Sequence, residues 1–75
     1  MPRVTERLRQ QWSWQREQML EERTRDQSGR PRSPEDIAIV DFDVEVMDRL
    51  LALPLGASFD GQQVQRDLLA EKGLG

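Results

Sequence analysis

The chain has 75 residues, a net charge of −3, no cysteine and no histidine. A chain this short forms one small domain that buries only about 60% of its unfolded surface, with no disulfide to staple it. Without a thiolate or an imidazole it lacks the commonest nucleophile, general base and metal ligands, so the composition argues against an enzyme and against a resident metal or cofactor.

The charge is unevenly placed. Residues 1–32 carry eight Arg against five acids, a balance of +3, and residues 33–75 carry two Arg and one Lys against nine acids, a balance of −6. Ten Arg to one Lys points to a GC-rich genome, that of a bacterium or one of its phages. No apolar run reaches membrane-spanning length and the first residues lack the apolar core of a signal peptide, so a cytoplasmic protein is expected.

Residues 1–27 read as one long, amphipathic, Arg-rich helix, capped at Thr5 and free of Gly and Pro from there to Gln27. Such a helix would be about 35 Å long, more than a domain of this size needs. Its apolar stripe is thin. Val4, Leu8, Trp12 and Met19 share one face, Leu20 widens it, and Trp14 points away from it. Glu21–Arg25 is an attractive i,i+4 pair and Glu17–Glu21 a repulsive one, each worth a few tenths of a kcal/mol at about neutral pH. A helix this weak needs a surface to dock on.

Residues 28–33 read as a solvated linker, because Gly29, Pro31 and Pro34 break helix and Arg30 and Arg32 favour water. The apolar centre of the chain then begins. Ser33 suits an N-cap, Pro34 the first helical position, and Glu35 and Asp36 the positive end of the helix dipole. At 100° per residue, Ile37, Val40, Val44, Met47 and Leu51 fall in one arc of roughly 80°, and Ile39, Phe42, Val46, Leu50 and Leu53 in a second, nearly opposite one. Two stripes imply a central helix covered on two sides. A second reading competes over residues 38–46, where Val40, Phe42, Val44 and Val46 alternate with acids as in a strand, which would need a partner chain to satisfy its edges. The caps and the run into Leu50–Leu53 favour helix to about residue 53.

Pro54 and Gly56 break the chain again. Asp60 suits the cap of a third helix to about residue 72, with Gln63 placed for a capping box and Phe59 and Val64 for a hydrophobic staple. Gly73 suits its end.

Few residues offer chemistry. Asp41, Asp43, Glu45 and Asp48 form a dense acidic run, but the spacing is not that of a calcium loop and the turn glycine is missing, so they read as a solvated face. The serines have no histidine to activate them, and the glycines do not form a phosphate-cradling loop.

The sequence therefore predicts a small all-α domain of three helices: a long N-terminal helix, a linker and a helical hairpin over residues 34–75. The minority alternative is a dimeric α+β arrangement with a strand at 38–46. The expected function is non-enzymatic, that of a regulatory or adaptor protein of phage or mobile-element origin. It would bind another protein through its first and central helices, with Trp12, Trp14, Arg16, Met19 and Phe42 as contacts, since Trp and Arg dominate interface energetics. An alternative is a transcriptional regulator of helix-turn-helix or ribbon-helix-helix type, holding DNA with Arg3, Arg7, Arg9, Gln62, Gln63, Gln65 and Arg66. Against it, the acidic remainder and the acids within 41–45 would repel phosphate. A third reading is a self-assembling structural protein.

Overall fold

The computed structural model describes residues 2–73; Met1 and residues 74–75, which end the two expected segments, lie outside the described residues. Among the described residues the chain folds as three helices with no strand: α1 (Glu6–Glu21), α2 (Pro34–Leu51) and α3 (Gly61–Glu71). The all-α class expected from the sequence is the one observed.

The side chains that start each helix act as their chemistry requires. The Thr5 hydroxyl accepts from the Leu8 amide at 3.1 Å, Ser33 from Asp36 at 3.2 Å and the Asp60 carboxylate from Gln62 at 2.9 Å. The capping box expected at α3 is not closed, because the Gln63 amide donates forward to Asp67 at 2.8 Å. Gly73 follows α3 at φ +74°, the left-handed conformation that lets the chain leave a helix without a Cβ clash.

Two expectations are corrected. The first helix ends at Glu21, well short of Gln27. Beyond it the backbone finds better partners in a tight hairpin: Arg32 N–H donates to Thr24 O and Asp26 N–H to Arg30 O, both at 3.0 Å. The Asp26 carboxylate collects the Ser28 amide, the Ser28 hydroxyl and the Arg30 amide, which holds its pKa below the usual carboxylate range. Asp and Gly pull this stretch out of helix by the usual turn mechanism. The hairpin occupies most of the expected linker. Arg32 leaves it to donate to the Glu22 carbonyl at the end of α1, a cation where the helix dipole is negative.

The second correction is to the strand reading of 38–46. Those residues lie inside α2, which runs unbroken for 18 residues. The alternating Val and Phe are consistent with both periods, and the Ser33–Pro34 start decides for helix. Val44 and Val46 are both buried, at 9% and 4% exposure, although they project 200° apart. That is the two-sided burial the paired stripes imply.

α1 and α3 each pack on α2. The core joins Val4, Trp12, Val46, Leu50 and Leu68, with Leu8, Phe42, Met47, Leu53, Phe59 and Val64 packed around them. Trp12 meets Phe59 edge to face, ring centroids 5.1 Å apart and planes at 88°, the geometry favoured by aromatic quadrupoles. The chain start closes this core. Val4 N–H donates to Ala57 O at 2.9 Å, Gly56 N–H to Val4 O at 2.8 Å, and Phe59 N–H to Pro2 O at 3.1 Å. The first residues thus pair with the α2–α3 turn across more than fifty positions of sequence. Overall the molecule is a slab of 39 × 30 × 16 Å.

Asp43 sits half-buried on α2, and burial pushes its carboxyl above the usual range. Its folded pKa therefore lies above its unfolded one. The stability this group contributes is present while it is protonated and is lost as pH rises through the folded pKa. Asp43→Asn is accordingly expected to be more stable than the parent at neutral pH. That advantage should shrink as pH falls through the raised folded pKa and be gone once pH is below the ordinary aspartate range. Thermal melts of the two proteins side by side from pH 3 to 7 check this; a constant offset contradicts it.

Candidate protein-docking surfaces

The structure separates the residues expected to make contacts. Trp12 is 6% exposed and belongs to the core, which corrects its placement among them: its 100°-per-residue register with Val4 and Leu8 directs it inward. Trp14, two positions on, projects from the other side of α1 and is 61% exposed. It stands at a shallow depression shared with Arg9, Gln10, Ser13 and Glu17 of α1 and Leu51 of α2. Arg16 is half-exposed and donates to Asp48 Oδ1 at 2.6 Å, so its charge already has a partner. Met19 is half-buried.

Phe42 lies elsewhere. With Ala38 and Ile39 of α2 and Leu69 of α3 it forms an apolar groove rimmed by Asp41, Glu45 and Lys72. Ile39 is 59% exposed there. The rim charges are paired within the chain. Arg23 grips both Asp41 oxygens, Nε to Oδ1 at 2.6 Å and Nη2 to Oδ2 at 3.0 Å, and Lys72 Nζ lies 3.1 Å from Glu45 Oε2. The Arg23 hydrogen bonds and charge hold Asp41 below the ordinary carboxylate range and raise Arg23.

The acidic run of α2 is thereby distributed. Asp41, Glu45 and Asp48 each face a different cation: Arg23 just past the end of α1, Lys72 at the C-terminal cap of α3 and Arg16 within α1. Among the described residues no group of three or more His, Cys, Asp or Glu side chains gathers as metal ligands would.

The residues of the DNA-binding alternative fall on two elements. Arg3 and Arg9 hold the α2–α3 turn, Arg3 Nη1 on Gly56 O at 3.0 Å and Arg9 Nη2 on Leu53 O at 2.7 Å. Arg9 Nε is buried without a hydrogen-bond partner. Arg7 is exposed at the start of α1, and Gln62, Gln65 and Arg66 are exposed on α3, where Gln63 holds Asp67.

Sequence reasoning passed over Ile39 as a surface residue, because it assigned it to a covered stripe of α2, whereas Leu51 of the other stripe does pack against the core. The signal that exposes Ile39 was present: the caps at Ser33 and Asp60 and the stop at Gly73 make α3 about two turns shorter than α2. No helix among the described residues is long and apolar enough to cross a membrane. No family model, curated protein or solved structure matches the chain.

Proposed function

We propose that this chain is a non-enzymatic adaptor or regulatory protein that binds another protein through the α1–α2 surface centred on Trp14. The observation that carries the reading is the 61% exposure of Trp14 beside a depression formed by α1 and α2, two helices bridged by the Arg16–Asp48 pair. An indole left in water forgoes much of the burial energy it offers, and tryptophan is the residue most enriched among interface hot spots. Its neighbours Gln10, Ser13 and Glu17 supply the polar rim such anchors have. The sequence, with no histidine and no cysteine, offers little for catalysis and much for recognition.

The test is photo-crosslinking in the source cell from a reactive side chain at Gln10, beside Trp14, and from a control at Gln65 on α3. One protein is expected to be captured from Gln10 and not from Gln65. Trp14→Ala should weaken its binding at least about 10-fold, as loss of a hot spot does. Capture that is equal from both positions, or indifferent to Trp14→Ala, contradicts the reading.

A further inference from the structure

We propose that the groove beside the end of α3, centred on Ile39 and Phe42, takes a basic segment of another protein. That segment would seat an apolar side chain on Ile39 and set Lys or Arg against Glu35, Asp36 and Asp43. The proposal is independent of the Trp14 surface, because Ile39 and Leu51, which mark the two, project from α2 about 120° apart at 100° per residue.

Two observations carry it. The first is a deficit of cover. α3 has 11 residues and α2 has 18, and the ion pairs Lys72–Glu45 and Arg49–Glu71 place the end of α3 beside the middle of α2. The first turns of α2 run on past it, and Ile39 is left 59% exposed next to Phe42 and Leu69.

The second is charge, and it selects the occupant. The neighbours of Ile39 on a helix are the residues three and four positions away, which are Glu35 and Asp36 before it and Phe42 and Asp43 after it. Three of these four are acids, and among the described residues no cation forms an ion pair with any of them. The other acids of α2 differ. Asp41, Glu45 and Asp48 are each held by an Arg or Lys of this chain. The carboxylates of α2 are thus paired towards its own neighbours and bare around its exposed isoleucine.

Glu35 and Asp36 stand in the first turn, where the helix dipole accounts for negative charge. The dipole does not account for Asp43, which lies two turns on and is half-buried. Desolvation pushes its carboxyl up with nothing to offset it, and a partner's cation supplies the offset. Other occupants fit worse. A second copy laid face to face sets bare acids against bare acids, and a phosphate-bearing partner meets the same repulsion. A purely apolar segment would bury these carboxylates unpaired.

The experiment is selection of short peptides from a random displayed library on the immobilised full chain, followed by titration of the selected peptides against variants. A class rich in Lys or Arg beside a large apolar residue is expected. Ile39→Ser, and separately the combined Glu35→Gln, Asp36→Asn and Asp43→Asn variant, should each weaken that class by at least about 10-fold. The combined variant should also lose most of the salt dependence. Circular dichroism should show unchanged helix content in both, since the altered side chains lie outside the core cluster. Trp14→Ala should bind the class as wild type does. A selection that yields no peptides dependent on Ile39, or a class indifferent to the combined variant, overturns the proposal. So does a wild type that self-associates in sedimentation equilibrium and is dissociated by Ile39→Ser, which gives the groove to a second copy. Peptides that need Trp14 and not Ile39 overturn it while leaving the Trp14 reading standing, so the two can fail separately.

Discussion

Trp12→Ala is expected to unfold the domain at physiological temperature. Trp12 is 6% exposed and is the largest side chain of the core cluster. Replacing a buried tryptophan by alanine removes its transfer energy and leaves a cavity, at a cost of about 3–5 kcal/mol. A chain of 75 residues has a total stability of roughly 4–11 kcal/mol. The substitution therefore removes much or all of what holds the fold. It also withdraws the edge-to-face partner of Phe59, which stands just before the α3 cap, so α3 should loosen with it. Thermal denaturation followed by circular dichroism checks this. A cooperative melt within a few degrees of wild type would place Trp12 outside the core.

Val4→Asp is expected to have an effect of similar size from the opposite end of the core. Val4 is 2% exposed, and its amide and carbonyl hold Ala57 and Gly56 of the α2–α3 turn. A carboxylate there loses its hydration among Trp12, Leu50 and Leu68 and costs several kcal/mol, on the order of the whole stability. Protonation lowers that cost, so the variant should regain structure on mild acidification while it stays unfolded at neutral pH. Val4→Ala loses only roughly 1.5–3 kcal/mol of burial and should fold. Native-like helix content for Val4→Asp at neutral pH would mean that the chain start does not close the core.

These two expectations also show how far the sequence could be read. The helix starts were legible because they are local: one oxygen at Thr5, Ser33 or Asp60 and an amide two or three residues on. The two-sided burial of α2 was legible because its apolar residues fall in two arcs. The end of α1 was not. Arg23, Arg25 and the neighbouring acids are good helix formers, and what ends the helix is an aspartate that gathers three donors only once Gly29 has turned the chain. The pairing of Val4 with Ala57 was equally hidden, because its backbone hydrogen bonds across fifty-three positions leave no pattern in side-chain type.

The exposure of the candidate contact residues was partly legible. The helical register separated Trp14 from the face that holds Trp12, and that separation is what the fold shows. Trp12 was nonetheless grouped with the contacts, because a thin stripe looked too poor to be a core by itself. The stripe suffices because Val4 brings the α2–α3 turn, with Phe59, over it. Arg16 looked free for a partner and is occupied by Asp48, a pairing between positions 32 apart that spacing cannot reveal.

The central claim is that two tryptophans two residues apart serve different ends, Trp12 the fold and Trp14 recognition. Acrylamide quenching of the two single-tryptophan proteins, Trp14→Phe and Trp12→Phe, tests it most directly. Trp12 should emit at short wavelength and resist quenching until the domain unfolds. Trp14 should emit at long wavelength and be quenched nearly as freely as an indole in water, at dilute and concentrated protein alike. Equal protection of both, or protection of Trp14 with exposure of Trp12, would contradict the account.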